Sequence, residues 1–148
     1  MPFLNLKIAA PDLAPGQVRK LHADLTEQMG RILGKKTELT AVFIEHVPLT
    51  GWAIGAADVP LAAHLDVNVT AGTNDELQKA RFLAEAHDLL KMTLGEGLPL
   101  ATYVVIREVP ANAWGYSGLS QEQRQKALLK PSRPASNLKA NDAAPSGA

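Results

Sequence analysis

Thr40-Ala41-Val42-Phe43-Ile44-Glu45-His46-Val47-Pro48 and Thr102-Tyr103-Val104-Val105-Ile106-Arg107-Glu108-Val109-Pro110 are two versions of one segment, 62 positions apart. Thr, Val, Ile, Val and Pro coincide, and Trp52 falls on Trp114 at the same offset. Self-similarity of this kind decides architecture before local propensity does. Working outward at an offset of 61, Leu4, Leu6 and Ile8 fall on Leu65, Val67 and Val69, and Leu33-Gly34 falls on Leu94-Gly95. Each copy therefore runs strand, helix, strand, with repeats at 2–56 and 63–118.

The first strand, Phe3 to Ile8, alternates Leu4, Leu6 and Ile8 with Asn5 and Lys7, the period of a half-buried strand. Leu65 to Val69 repeats the pattern. Between Pro15 and Leu33, Val18, Leu21, Leu25, Met29 and Ile32 recur at helical spacing, and Gly34 stops the run. A second helix is expected from the capping pattern Thr73-Asn74-Asp75-Glu76, with Thr73 accepting from the amide three residues on, to about Thr93 before Gly95. The Val- and Ile-rich runs 40–47 and 102–109 are each closed by Pro. Parallel strands need a crossover, which the helices supply. The expected fold is α+β: tandem β-α-β units forming a four-stranded mixed sheet with two helices on one face, joined through residues 55–60. The other face would be left bare and apolar, so association with further copies is expected. One domain over 1–118, a short helix over 119–130 and a disordered tail over 131–148, rich in Pro, Ser, Ala and Asn, complete the reading.

Fifteen basic residues balance fifteen acidic ones and no basic stripe is visible, which argues against nucleic acid as a partner. The apolar runs are strand-length and the first residues lack a signal-peptide pattern, so a soluble cytoplasmic protein is expected, with no membrane partner. The absence of cysteine removes thiolate chemistry. His22, His46, His64 and His87 do not have metal-ligand spacing, and no metal or cofactor is expected.

The Met-Pro start, the Val-Pro strand end followed by Trp52-Ala53-Ile54-Gly55, and Thr70-Ala71-Gly72-Thr73 before the second helix resemble the tautomerase superfamily. The likeness covers about residues 2–118 and is to the fused form, in which two 4-oxalocrotonate tautomerase-type units share one chain. Thr70 to Thr73 is similar to the hydroxymuconate isomerase branch, and Gly34-Lys35 to the macrophage migration inhibitory factor branch. The resemblance implies a homotrimer, active sites at subunit boundaries, and Pro2 as catalytic base once Met1 is removed. It also implies that Lys35 and Tyr103 are pocket residues and that Trp52 is an aromatic wall.

The chemistry fits that implication. An internal proline nitrogen is an amide, whereas an N-terminal proline is a secondary amine able to take a proton or attack a carbonyl. Such an amine titrates near pH 8, roughly, and an apolar surrounding lowers that value. Ala63, the counterpart of Pro2, is internal, so one base per chain is expected. The positions matching the two arginines of 4-oxalocrotonate tautomerase hold Asp12 and Ala41 in the first copy and Thr73 and Tyr103 in the second. Arg107, Lys35 and Lys36 remain as cations for a carboxylate.

Each residue has a plainer reading beside this one. Trp52 and Trp114 serve equally as plugs at the ends of the sheet. Tyr103 makes a pocket or a structural hydrogen bond, and Lys35 and Lys36 follow a helix end that favours cations. Arg107 binds substrate or pairs with Glu45 or Glu108 across the sheet. Asp66, two residues after His64, is a proton-transfer helper or a solvated group. The leading expectation is a cofactor-independent keto-enol isomerase acting on a small carboxylate, a 2-hydroxy-dienoate or 2-oxo acid such as an aryl pyruvate. Other Pro2 chemistry (hydration with dehalogenation, decarboxylation, iminium-based addition) and a non-catalytic ligand-binding or interaction protein on the same scaffold remain the alternatives.

Overall fold

The computed structural model describes residues 2–129. Met1, Lys130 and the tail expected to be disordered, 131–148, lie outside the described residues. The chain runs β1 (Phe3–Ala9), α1 (Pro15–Arg31), β2 (Ala41–His46), β3 (Ala53–Ile54), β4 (Ala57–Asp58), β5 (Ala62–Thr70), α2 (Glu76–Leu94), β6 (Tyr103–Val109), β7 (Gly115–Tyr116), β8 (Leu119–Ser120) and α3 (Gln121–Leu129). The main sheet has the order β2-β1-β5-β6. Its outer pairs are parallel and its central pair, β1 with β5, is antiparallel. This is the four-stranded mixed sheet that the repeat predicts.

Period-two alternation puts Leu4, Leu6 and Ile8 of β1 and Leu65, Val67 and Val69 of β5 on the helix face, all at 0% exposure. Leu21, Leu25 and Met29 of α1 and Phe82, Ala86 and Leu90 of α2 close over them. Positive-φ glycines end both helices, Gly34 at φ 68° and Gly95 at φ 109°.

Three expectations need correction. The box at the start of α2 is built on Asp75, whose carboxylate accepts from Gln78 N at 2.8 Å while Gln78 Oε1 accepts from Asp75 N at 3.0 Å. Thr73 instead donates its hydroxyl to the carbonyl of Thr70. The stretch expected as a plain linker, 55–60, instead lies largely in a small antiparallel hairpin, β3–β4, which β7–β8 repeats after Trp114. Each turns on residues with φ near +60°, Gly55-Ala56 and Ser117-Gly118. Finally, the open sheet face is polar along its centre rather than apolar. Asn5, Lys7, His64, Asp66 and Asn68 occupy the positions facing away from the helices, because they alternate with the core residues. Asn5 Nδ2 donates to Glu45 at 3.0 Å, Lys7 donates to Asn5 Oδ1 at 3.0 Å, and His64 stands 3.2 Å from Asp66. Apolar exposure on this face includes Phe3, 42% exposed at the start of β1, and Phe43, 50% exposed on the edge strand β2.

Candidate active site

The sheet has two ends, and the strand directions sort the candidate residues between them. Pro2 precedes β1, and its carbonyl accepts from Ala41 N at 3.2 Å, so the start of β2 lies beside it. On the other side, the pairing Phe3 with Asn68 brings the last residues of β5, Val69 and Thr70, to the same end. β6 runs parallel to β5 and finishes there too, with Val109 opposite Thr70. The C-terminus of α1 and the N-terminus of α2 meet at this end because each helix returns along the sheet. Pro2 is one of the fully buried side chains, below 2% exposure.

Lys35 follows the left-handed Gly34 and donates to Thr73 Oγ1 at 2.7 Å. Thr73 in turn donates to the Thr70 carbonyl at 2.7 Å. Asn74 Nδ2, donating to the Leu33 carbonyl at 2.9 Å, ties the end of α1 to the start of α2. Burial pushes the Lys35 ammonium below its ordinary value by removing water from the charge. Trp114 also belongs to this end, its indole N–H donating to Thr70 Oγ1 at 3.1 Å. Pro2, Lys35 and Trp114 are thus gathered around the ends of β1 and β5.

Tyr103 and Trp52 are not. Tyr103 opens β6 opposite His64, at the far end of the sheet, and is 64% exposed. Trp52 follows the one-turn helix Leu49–Gly51 after β2 and is half-buried at that same far end. Arg107 lies on the open face and pairs with Asp66 at 3.1 Å, not with Glu45 or Glu108. Glu45 pairs with Lys7 and Glu108 with Lys79. Lys36 is exposed beside Lys35. Among the described residues no group of three or more His, Cys, Asp or Glu could hold a metal ion.

One part of this end was not anticipated from sequence. The hairpin β7–β8 folds back so that Gln121 N donates to the Trp114 carbonyl and Glu122 N to the Ala111 carbonyl, at 2.9 Å each. These bonds tie the start of α3 to the segment after β6, and α3 faces the segment after α1 across a gap. The gap is a cavity of about 200 Å³ whose walls include Lys35, Leu39, Tyr116, Gln121 and Arg124. The pseudo-symmetric end has a cavity of about 270 Å³ that Asp12, Pro60, Leu61 and Thr93 help to line. There the counterpart of Pro2 is Ala63, and of Lys35, Glu96.

Residues 2–59 and again 64–124 match the family described as "Tautomerase enzyme". The chain belongs to the tautomerase family. Probable tautomerase K2 of Dickeya dadantii (strain 3937) is 34% identical over 59 residues, which are 40% of this chain and 88% of that protein. Among solved structures, native fused 4-OT has a TM-score of 0.72 at 24% identity, over 82% of this chain and 97% of the other. A fused 4-OT described as an asymmetric trimer gives 0.73 at 17% identity, over 83% and 98%. A macrophage migration inhibitory factor-like protein from Entamoeba histolytica gives 0.65 at 16% identity, over 80% and 97%. At these identities the structural likeness establishes the fold, and the double match shows two units of the tautomerase family in one chain. No helix among the described residues is long and apolar enough to cross a membrane.

Proposed function

We propose that the chain is a cofactor-independent keto-enol isomerase of a small 2-hydroxy-dienoate or 2-oxo acid, with the amine of Pro2, freed by removal of Met1, as the general base. The observation that carries the reading is the position of Pro2: buried at the end of β1, beside the segment that holds Lys35. An amine in such a setting loses solvation of its ammonium form and becomes a base at neutral pH. It takes a proton from the carbon next to the carbonyl and returns one elsewhere, while a nearby cation stabilises the enolate oxygen or holds the carboxylate. Lys35 suits that cationic role, and Trp114 closes the wall on the Thr70 side.

The separation of Pro2 from Tyr103 and Trp52 within one chain favours a site completed across a subunit boundary, in a homotrimer. Tyr103 of one copy and Pro2 of another then line one pocket. The domain unit in this reading is the pair of β-α-β repeats together.

Pro2→Ala leaves an α-amine of a different kind and geometry and is expected to lower kcat/KM on an accepted enol acid by roughly a hundredfold or more, with an unchanged thermal midpoint. Intact-mass measurement must show Met1 absent from the active protein. Full turnover by Pro2→Ala on a substrate of the parent would remove the proposed mechanism.

A further inference from the structure

The cavity between the end of α1 and α3 has a one-signed lining. Lys35, Lys36 and Arg124 contribute three cations, Tyr116 and Gln121 further polar groups, and among the described residues neither Asp nor Glu is in the walls. Arg124 is held rather than free to wander: its guanidinium lies 3.7 Å from the centroid of the Tyr116 ring, and Nη2 donates to the Tyr116 carbonyl at 2.8 Å. Stacking on an aromatic ring fixes the plane of the guanidinium and so preorganises its remaining donors. Two buried donors here have no hydrogen-bond partner among the described residues, Arg124 Nε and Gln121 Nε2, and Gln121 is only 8% exposed. Unpaired buried donors are costly, and native proteins keep them rare. A rotation about the soft terminal torsion of Gln121 turns its amide to an acceptor in the cavity.

We propose that this cavity is a carboxylate-binding subsite in which Arg124, with Gln121 and Lys35, holds the acid group of the substrate. The inference rests on the isomerase reading above and gives that site its second cation, from a helix absent from the expected repeats. Leu39, in the cavity wall, stands two residues before Ala41, whose amide bonds the Pro2 carbonyl, so the stretch that lines the subsite goes on to pair with the strand that carries the base. The volume suits a single carboxylate with a short stem. The ligand class is a small monoanionic organic acid; the neutral ester or amide of the same acid should not be held.

The test uses phenylpropionate as an unreactive acid and phenylpropionamide as its neutral twin, titrated by NMR into the full chain. The parent and Pro2→Ala should bind the acid and not the amide. Arg124→Ala should weaken acid binding by about tenfold to a hundredfold, the scale of one charge-assisted hydrogen-bonded contact, and Arg124→Lys should restore part of it. Because Arg124 also packs on Tyr116, Gln121→Leu is the second variant. It removes an unpartnered donor, so it should keep or raise the thermal midpoint while weakening acid binding several-fold. Acid binding unchanged by Arg124→Ala, equal loss of acid and amide, or no acid binding by the parent each overturns the subsite. Binding that survives in Pro2→Ala while turnover disappears separates the subsite from the mechanism. If Pro2→Ala retains turnover, the mechanism fails whatever the binding shows.

Discussion

In the proposed site, Lys35 carries the pH dependence. Burial lowers its ammonium from the ordinary 10.5, its hydroxyl partner Thr73 is neutral, and among the described residues no carboxylate pairs with it to offset the lost water. A base with a lowered folded-state value is charged below that value and neutral above it. Affinity for a carboxylate should therefore be full at neutral pH and fall as pH climbs through a midpoint below 10.5. KM measured against pH shows this alkaline limb, and Lys35→Arg should abolish it because a guanidinium stays charged. The linked effect on stability has the opposite slope: across the same window the unfolded lysine holds more proton than the folded one, so folding gains as pH rises. Lys35 was singled out in the sequence through the resemblance of Gly34-Lys35 to the macrophage migration inhibitory factor branch, while the helix end at Gly34 spoke for the plainer reading. Arg124 was not, since the role proposed for it rests on stacking on Tyr116 across a hairpin, and no local periodicity encodes that contact.

At the scale of elements, the two hairpins that follow Trp52 and Trp114 show how a repeat diverges. Each begins at an equivalent position, Ala53 in the first copy and Gly115 in the second. A Cβ built on Gly115 would overlap the backbone carbonyl of Leu119, whereas the first copy already carries one. Gly115→Ala should thus spread β7 from β8 and unseat α3, costing about 1–3 kcal/mol and weakening carboxylate binding while Pro2 and the sheet stay in place. Comparing the urea midpoint with acid affinity checks both parts. The β-α-β units were legible because their strands and helices are long enough to show a period. The hairpins were not, as two-residue strands have none; Gly55-Ala56 and Ser117-Gly118 at the same offset were the available signal. The start of α2 was misplaced by a similar ambiguity, because Thr73 and Asp75 are both good caps and only the contact with Thr70 assigns Thr73 elsewhere.

For the whole molecule, the ends of the sheet matter more than its faces. If sites are shared across boundaries, Pro2→Ala and Tyr103→Ala should each be nearly inactive alone. Trimers reassembled from a mixture should regain a measurable fraction of parental activity, since some boundaries then pair an intact Pro2 with an intact Tyr103. Light scattering should give three chains per particle. The polar centre of the open face, misjudged as apolar from the general character of such sheets, is explained by the alternation itself. The positions between Leu4 and Leu6, and between Leu65 and Val67, hold Asn5 and Asp66. Joining two units in one chain also changes how the assembly responds to dilution. Half as many free bodies have to be brought together as for separate units, and each one spared saves the rigid-body freedom that association removes, about 4–15 kcal/mol. The peptide link that denies the second unit an amine at Ala63 is, in this sense, a permanent effective concentration for its neighbour. A scarce protein could remain assembled where a split version of itself would fall apart.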